Sequence, residues 1–205
     1  MTITLQNISD RLALRLKDIN DVSSTQMQNW ATDLNYFLYT EMFAVDPERF
    51  ISTQSYTLSA SPSTQALPAG FRDIGESGTG FYYVNAQGQN TQQRLPMTSF
   101  GSSQAGYYIT GSNVVFTGIN VATTIILRYI PTLAAISSYS GTFCVPDENA
   151  ELLELGMVAR YYRDEEDLQQ IMAEQDFSRV LGIFLAKLKR SPHAYAPFTS
   201  INSGA

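Results

Sequence analysis

Apolar residues recur at spacings of three and four along the first 45 residues, which is the pattern of two amphipathic helices. The first apolar face consists of Leu5, Ile8, Leu12, Leu16 and Ile19. The second consists of Met27, Trp30, Leu34, Phe37 and Leu38. Ser23–Gln26 has the composition of a capping box, and Asp46-Pro47 ends the second helix because the residue before proline avoids the α region.

A second pair of helices is predicted at the other end of the chain. Pro146-Asp147 begins the third helix, and Leu152, Leu155, Ala159 and Tyr162 form its apolar face. Gly156 lies within this helix at a cost of up to about 1 kcal/mol against alanine, so we expect a neighbouring helix to approach closely there. The acidic run Asp164–Asp167 separates the third helix from the fourth. The apolar face of the fourth helix is predicted to contain Leu168, Ile171, Met172, Val180, Leu181, Phe184, Leu185 and Leu188.

The middle of the chain shows β-branched and aromatic segments separated by turn residues, which is typical of strands. Gly111-Ser112 joins two such segments as a two-residue hairpin with glycine first. The hairpin strands and Thr123–Ile130 predict a three-stranded meander. Further strands are predicted at Phe50–Leu58 and Gly80–Val84, whereas Ser59–Gly70 and Ala86–Ser103 are predicted as loops.

Charge changes this picture because it is distributed very unevenly. Residues 51–145 carry five of the thirty-two charged side chains, and the helical flanks carry the other twenty-seven. Interface cores are depleted in charge and enriched in aromatic residues, so we expect the β insert to mediate protein–protein contacts. The net charge of −6 argues against a classical nucleic-acid binder, but it is compatible with a protein past which DNA slides.

The candidate chemistry points away from an enzyme, a cofactor and a metal site. The single histidine, His193, has no partner for metal binding or for triad chemistry, and Gly75–Gly80 lacks the Gly-Lys-Ser/Thr ending of a phosphate loop. Successive carboxylates at Asp164–Asp167 point in different directions on a helix, so we interpret them as a solvated helix start. Asp73 and Glu76 are a weak candidate for a carboxylate pair.

The single cysteine, Cys144, is interpreted as a small buried hydrophobe. The first 21 residues do not have the pattern of a secretory signal, and no apolar run approaches the ~20 residues of a membrane span.

The order of these elements resembles the head-to-tail adaptor proteins of tailed bacteriophages, a family that includes tail tubular protein A of short-tailed phages. Leu67–Ile74 is similar to a Leu-Pro-x-x-Phe segment that begins the β domain of the family. The other matching segments are Gly106–Gly111 with Val114–Phe116, Ile125–Pro131, and Val145–Glu148 leading into a helix with Leu152, Gly156 and Ala159. The chain departs from the family pattern at Thr117–Ala122, which lacks the usual proline-containing turn, and at the acidic run.

The resemblance implies an α+β fold in which the N- and C-terminal helix pairs form a four-helix bundle with an inserted small antiparallel β domain. The predicted domains are residues 1–48 with 146–190 for the bundle, 49–145 for the β domain and 191–205 for an extended docking tail. The resemblance further implies a non-enzymatic virion protein of the phage neck, assembled in the host cytoplasm as a ring of twelve copies. Its partners would be the portal protein above and a tail or nozzle protein below, with double-stranded DNA passing through without specific binding and no membrane contact.

The C-terminal tail, Ser191–Ala205, has no charged residue and places Tyr195, Phe198 and Ile201 at even spacing. Its two prolines favour an extended segment that docks on a partner. Since adaptor C-termini engage the portal, the resemblance implies that these three residues bind the portal or a neighbouring subunit.

Two other functions stay open on the sequence. The first is a virion or cell-surface glycan-binding module with a β domain on a helical stalk, for which the paired tyrosines would serve as sugar platforms. The second is a hydrolase of unrecognised type.

Overall fold

The computed structural model describes residues 3–16, 18–59, 62–74, 78–85, 90–119 and 121–190, which divide into two units. The helical unit contains the described residues up to Arg49 and those from Leu133 to Arg190. The β unit contains the described residues from Phe50 to Thr132. Leu133–Val145 therefore groups with the helices.

The helical unit contains four α-helices: α1 (Leu5–Arg15), α2 (Ser24–Val45), α3 (Ala150–Asp164) and α4 (Gln170–Arg190). Short 3-10 turns lie at Ile19–Asp21, Pro47–Phe50 and Asp147–Asn149. The α1 face predicted from the sequence is confirmed, since all five of its residues are buried.

Side chains cap the first two helices. Thr4 Oγ1 accepts from the Asn7 amide at 3.3 Å, and Asn7 Oδ1 accepts from the Thr4 amide at 3.0 Å, which completes a capping box on α1. Ser23 caps α2 through the Gln26 amide alone, at 3.2 Å, so the predicted box is only half formed there. Asp46 ends α2 directly before Pro47, as predicted.

Helix α3 is the centre of the helical unit, because it packs against α1, α2 and α4. Leu152, Leu153 and every residue from Leu155 to Ala159 are buried, so α3 is covered on nearly all sides. The close approach predicted at Gly156 is confirmed, since a Cβ there would lie 2.7 Å from Leu34 on α2 and 3.0 Å from Phe177 on α4.

The β unit contains eight strands in two antiparallel sheets. They are β1 (Ser52–Leu58), β2 (Ser63–Ala66), β3 (Phe71–Asp73), β4 (Gly80–Val84), β5 (Asn90–Arg94), β6 (Gly106–Thr110), β7 (Asn113–Thr117) and β8 (Thr123–Pro131). The five-stranded sheet has the order β1-β8-β4-β5, with β3 pairing the far end of β8, and the three-stranded sheet has the order β2-β7-β6.

One aromatic core joins the two sheets. Phe81 on β4 has its ring centroid 4.3 Å from that of Tyr107 on β6 and 5.3 Å from that of Phe116 on β7. Tyr56 on β1 lies against both phenylalanines, and its hydroxyl donates to the Ala66 carbonyl on β2 at 3.0 Å. The two sheets therefore pack around a shared interior.

The fold class predicted from the sequence, a four-helix bundle with a small inserted β domain, is wrong. The described part of the chain has a β-sheet-rich α+β fold with four helices and two antiparallel sheets. The prediction underestimated the β part because β2 and β5 are short polar strands, which lack the apolar alternation that marks a strand. Both lie in segments that we predicted as loops.

The predicted meander is also wrong, because β8 pairs with β1, β4 and β3 rather than with β7. The chain leaves the three-stranded sheet after β7 at Gly118, whose φ of +65° is in the left-handed region. A Cβ at this glycine would clash with the backbone of Gln104 and Ala105. The crossing between sheets therefore requires glycine here.

The apolar face predicted for α4 is wrong at its beginning. Leu168 lies before the helix, and its side chain is 95 % exposed. Ile171 and Met172 are also exposed, and the buried face starts at Ala173 and continues through Phe177, Phe184 and Leu188. The turn after α3 changes the direction of the chain, so the periodicity does not continue across it.

Candidate interaction surfaces

Cys144 is a structural residue. It is buried, its amide donates to Asn35 Oδ1 at 2.8 Å, and its thiol donates to the Asn35 carbonyl at 3.6 Å. Burial raises the pKa of the thiol to about 12, so the thiolate that nucleophilic chemistry needs is disfavoured. The interpretation of Cys144 as a small buried hydrophobe is confirmed.

The acidic run between α3 and α4 makes separate local contacts. Asp164 Oδ2 accepts from the Trp30 indole at 2.7 Å and from the Gln26 side chain at 3.2 Å. Asp167 Oδ1 instead accepts from the Gln169 amide at 2.7 Å, at the start of α4. The described residues contain no group of three metal-ligating side chains, and no helix among them is long and apolar enough to cross a membrane.

Several residues singled out from the sequence lie outside the described residues. They are Gly75–Ser77, His193 and the three tail residues Tyr195, Phe198 and Ile201. The surfaces that the structure does describe belong to the helical unit and to the β unit.

The five-stranded sheet ends in two strands with exposed side chains. On β1, Thr53, Gln54, Ser55 and Thr57 are exposed while Tyr56 and Leu58 point into the core. At the opposite end, Thr91, Gln93 and Arg94 of β5 are exposed. Every residue of β1 and all of β5 except Arg94 are uncharged.

The outer face of the same sheet forms a shallow cleft of about 660 Å³. Its lining is uncharged and consists of Ser55, Thr57, Val84, Asn85, Ala122, Thr123, Thr124 and Ile126. Because the lining combines hydroxyl, amide and apolar groups without a charge, it suits contact with another protein surface without placing like charges together.

A second cleft, of about 760 Å³, lies where β3, β5 and β6 meet. Its lining residues are Asp73, Ile74, Arg94, Leu95, Pro96, Met97, Tyr107 and Ile109. Arg94 donates to the Ile74 carbonyl at 3.4 Å. Burial raises the pKa of Tyr107, and the nearby Arg94 opposes this rise.

The loop that follows β5 presents two large apolar side chains to solvent. Met97 is 71 % exposed and Phe100 is 85 % exposed, with the Phe100 ring centroid 5.5 Å from that of Tyr108. The sequence predicts a loop within the polar segment Ala86–Ser103, and this pattern does not reveal that either residue is exposed. The sequence feature that could have indicated an exposed apolar surface here is the lack of charge from residue 95 to residue 127.

The helical unit presents a different kind of surface. The exposed apolar residues Leu168, Ile171 and Met172 follow the exposed Glu165 and Glu166 in the sequence. Lys187, Lys189 and Arg190 are exposed at the other end of α4, where cations stabilise the helix dipole. This surface is therefore strongly charged at both ends of the helix.

The family model of the SU10 adaptor protein matches residues 3–200, a range that contains every helix and strand described above. A search of the curated proteins finds no match. The match confirms the resemblance to phage adaptors that the sequence showed. The chain belongs to the SU10 adaptor protein family, and it is a bacteriophage adaptor, a structural component of the virion.

Proposed function

We propose that this adaptor forms a ring of twelve copies that joins the portal vertex to the tail and surrounds part of the DNA channel, without catalysing a reaction. The observation that carries the proposal is the separation of charge between the two units. The β unit has only five charged side chains, and β1 and the lining of the outer cleft are uncharged. Such a surface can be repeated around a ring without accumulating repulsion between like charges.

The net negative charge supports passage of DNA through the ring. Phosphate binding depends on lysine and arginine contacts that displace counterions. The helical unit has ten basic residues against seventeen acidic ones, so its field repels a polyanion on balance. A channel surface of this kind lets double-stranded DNA move through without adhering.

Each part of the chain has a role in this proposal. The helical unit forms the body of each subunit, and the β unit, Phe50–Thr132, contacts other subunits or the tail. The tail, residues 191–205, docks on the portal or on a neighbouring adaptor through Tyr195, Phe198 and Ile201. These aromatic and apolar side chains are the type that anchors interfaces.

The tail proposal has a direct test. A variant truncated after Arg190 is expected to fold but to lose portal binding in a pull-down, whereas replacing Ser200 and Ser203 by alanine should leave binding intact. Undiminished binding by the truncated protein would remove the tail from the mechanism.

The ring proposal is tested by the mass of the purified protein with and without portal protein. We expect a defined complex whose mass corresponds to a ring of adaptors on one portal. A protein that stays monomeric with portal present would contradict the proposal. Binding of a glycan by that monomer would support the glycan-binding module instead.

A further inference from the structure

The five-stranded sheet has two strands with an unpaired edge. Among the described residues β1 pairs only with β8, and β5 pairs only with β4. In an antiparallel pair about half of the backbone N–H and C=O groups of an end strand point away from its partner. Both ends of this sheet therefore offer a row of backbone donors and acceptors.

The edge at β1 lacks the features that keep natural edge strands from pairing. Exposed edges are usually protected by lysine, by proline, by a bulge or by being very short. β1 has seven residues, Ser-Thr-Gln-Ser-Tyr-Thr-Leu, with no charge and no proline, and its register against β8 is regular throughout. An edge of this type is suited to accept another strand.

The edge at β5 is complementary to the edge at β1. The strands of the order β1-β8-β4-β5 alternate in direction, so β5 runs opposite to β1. Placing β5 of one copy beside β1 of another copy therefore gives an antiparallel pair. The register of β5 against β4 shifts between Asn90 and Arg94, and the Thr91 hydroxyl donates to the Tyr83 carbonyl at 2.9 Å. The exposed side chain of Gln93 would therefore meet the hydroxyl and amide side chains of β1, and such cross-strand pairs stabilise a sheet.

The three-stranded sheet offers poorer edges. β2 has only four residues. The backbone of Pro96–Thr98 already covers β6, because the Thr98 amide donates to the Tyr107 carbonyl at 2.7 Å and the Tyr107 amide donates to the Pro96 carbonyl at 3.1 Å. The five-stranded sheet is thus the better candidate for pairing between copies.

We propose that β1 of each subunit pairs antiparallel with β5 of the next subunit, so that the five-stranded sheets of neighbouring copies become continuous. This inference deepens the proposed ring function and rests on it. Because the two edges differ, the contact is heterologous and can be repeated from copy to copy until a ring closes. Pairing of β1 with β1 of a second copy would be isologous and would stop at a dimer.

Paired cysteines test this contact in the assembled protein. Thr53, Ser55 or Thr57 on β1 is replaced by cysteine together with Thr91 or Gln93 on β5, which gives six double variants. Within one chain β1 and β5 are separated by β8 and β4, roughly 14 Å at the usual strand spacing. A disulfide needs Cα atoms within about 7 Å, so a bond can form only between copies. The native Cys144 is 3 % exposed and does not compete.

After oxidation of the assembled ring, at least one double variant is expected to give a ladder of cross-linked species up to the copy number of the ring. The corresponding single variants should give no ladder. The matched control pairs Gln93→Cys with Thr64→Cys, which is exposed on β2 of the other sheet, and it should also give none.

The mass of each sample before oxidation separates this inference from the proposed function. A ring that binds portal but gives no ladder in any of the six variants would overturn the strand pairing while the adaptor function stands. A dimer from Ser55→Cys alone would overturn it in favour of β1–β1 pairing. Absence of any ring with portal present would overturn both.

Discussion

The helical unit and the β unit differ in charge and in how the chain builds them. The helical unit holds twenty-seven of the thirty-two charged residues and is assembled from two segments separated by the whole β unit. The β unit holds the other five, and its described residues all lie between Phe50 and Thr132. The helical unit therefore depends on contacts between the two ends of the chain, whereas the β unit depends on contacts within the stretch between them.

Polar side chains of α2 hold the segment that precedes α3. Thr32 Oγ1 donates to the Ile136 carbonyl at 3.3 Å and accepts from the Ile136 amide at 3.0 Å. The Tyr36 hydroxyl donates to the Leu133 carbonyl at 3.0 Å. Together with the contact between Asn35 and Cys144, these bonds connect residues about a hundred positions apart. They fix the path of a segment that has no regular structure of its own.

The largest expected effect tests whether the two units unfold separately. Phe81→Ala removes a fully buried ring from the centre of the β core, and we expect a loss of about 3–5 kcal/mol in the free energy of unfolding. The only tryptophan, Trp30, lies in the helical unit, so its fluorescence reports on that unit alone. The β unit should melt at lower urea by far-UV circular dichroism while the Trp30 transition is unchanged.

The control for this experiment is Phe100→Ala. Phe100 is 85 % exposed, so its removal should change the stability by no more than about 0.5 kcal/mol. An equal shift of the Trp30 transition in Phe81→Ala would show that the two units unfold together.

The next effect concerns the tight centre of the helical unit. Gly156→Ala places a methyl group against Leu34 and Phe177, and overpacking of this kind costs about 1–3 kcal/mol. The helix propensity of alanine offsets up to about 1 kcal/mol of that cost, so we expect a net loss of up to about 2 kcal/mol. Gly182→Ala on α4 is the matched control, because nothing lies within 4 Å of its Cβ position. That variant should instead gain up to about 1 kcal/mol from helix propensity. Urea unfolding followed by Trp30 fluorescence measures both, and the same sign for the two variants would contradict the packing at Gly156.

A third variant tests the connection between the two segments of the helical unit. Asn35→Ala leaves the buried Cys144 amide without its acceptor, which should destabilise the helical unit by about 1–3 kcal/mol. Trp30 fluorescence should register the loss. Thr40→Ala removes only an exposed bond to the Tyr36 carbonyl within the same helix and serves as the control. Equal stability of the two variants would mean that the contact with Cys144 does not support the unit.

The smallest expected effect is a pH-dependent loss of stability of the β unit. Burial, with a smaller contribution from Tyr129, raises the pKa of Tyr56 to about 12. The folded state binds the proton of the Tyr56 hydroxyl more tightly than the unfolded state does. The contribution of this group to the free energy of unfolding is therefore complete below pH 10 and is lost as the pH rises towards 12. The loss should be roughly 1 kcal/mol at pH 11.

Tyr56→Phe lowers stability at every pH through the lost bond to Ala66, so the comparison uses the slope between pH 9.5 and pH 11. Urea unfolding of both proteins should show a shallower decline in the variant. Parallel declines would assign the pH dependence to other groups.

These differences also explain what the sequence could predict. The helices could be predicted from the sequence because the residues of an apolar stripe, such as Leu5, Ile8 and Leu12, are the residues that become buried. The glycine in α3 was informative because its cost implies a compensating contact. The predicted apolar face of α4 was wrong at Leu168, because this residue lies in the turn before the helix. No change in the apolar spacing marks the end of that turn.

The β unit was harder to predict because the local sequence pattern does not determine which strands pair. Ser63–Ala66 and Asn90–Arg94 are strands since a neighbouring strand pairs with them, although their composition is that of loops. The sheet order, and with it the unpaired edges of β1 and β5, follows from long-range pairing with β8 and β4. The lack of charge led to the prediction that the insert contacts other proteins, but it could not indicate which strands would do so.

Amide hydrogen exchange of the free protein and of the assembled ring tests the central claim most directly, namely that the charge-poor β unit carries the contacts between copies. Peptides that cover residues 52–58 and 90–94 are expected to gain protection on assembly, because their outward amides become hydrogen-bonded. Peptides from the exposed surface of α4 should gain less. Protection that appears on α4 while β1 and β5 stay unchanged would contradict the account.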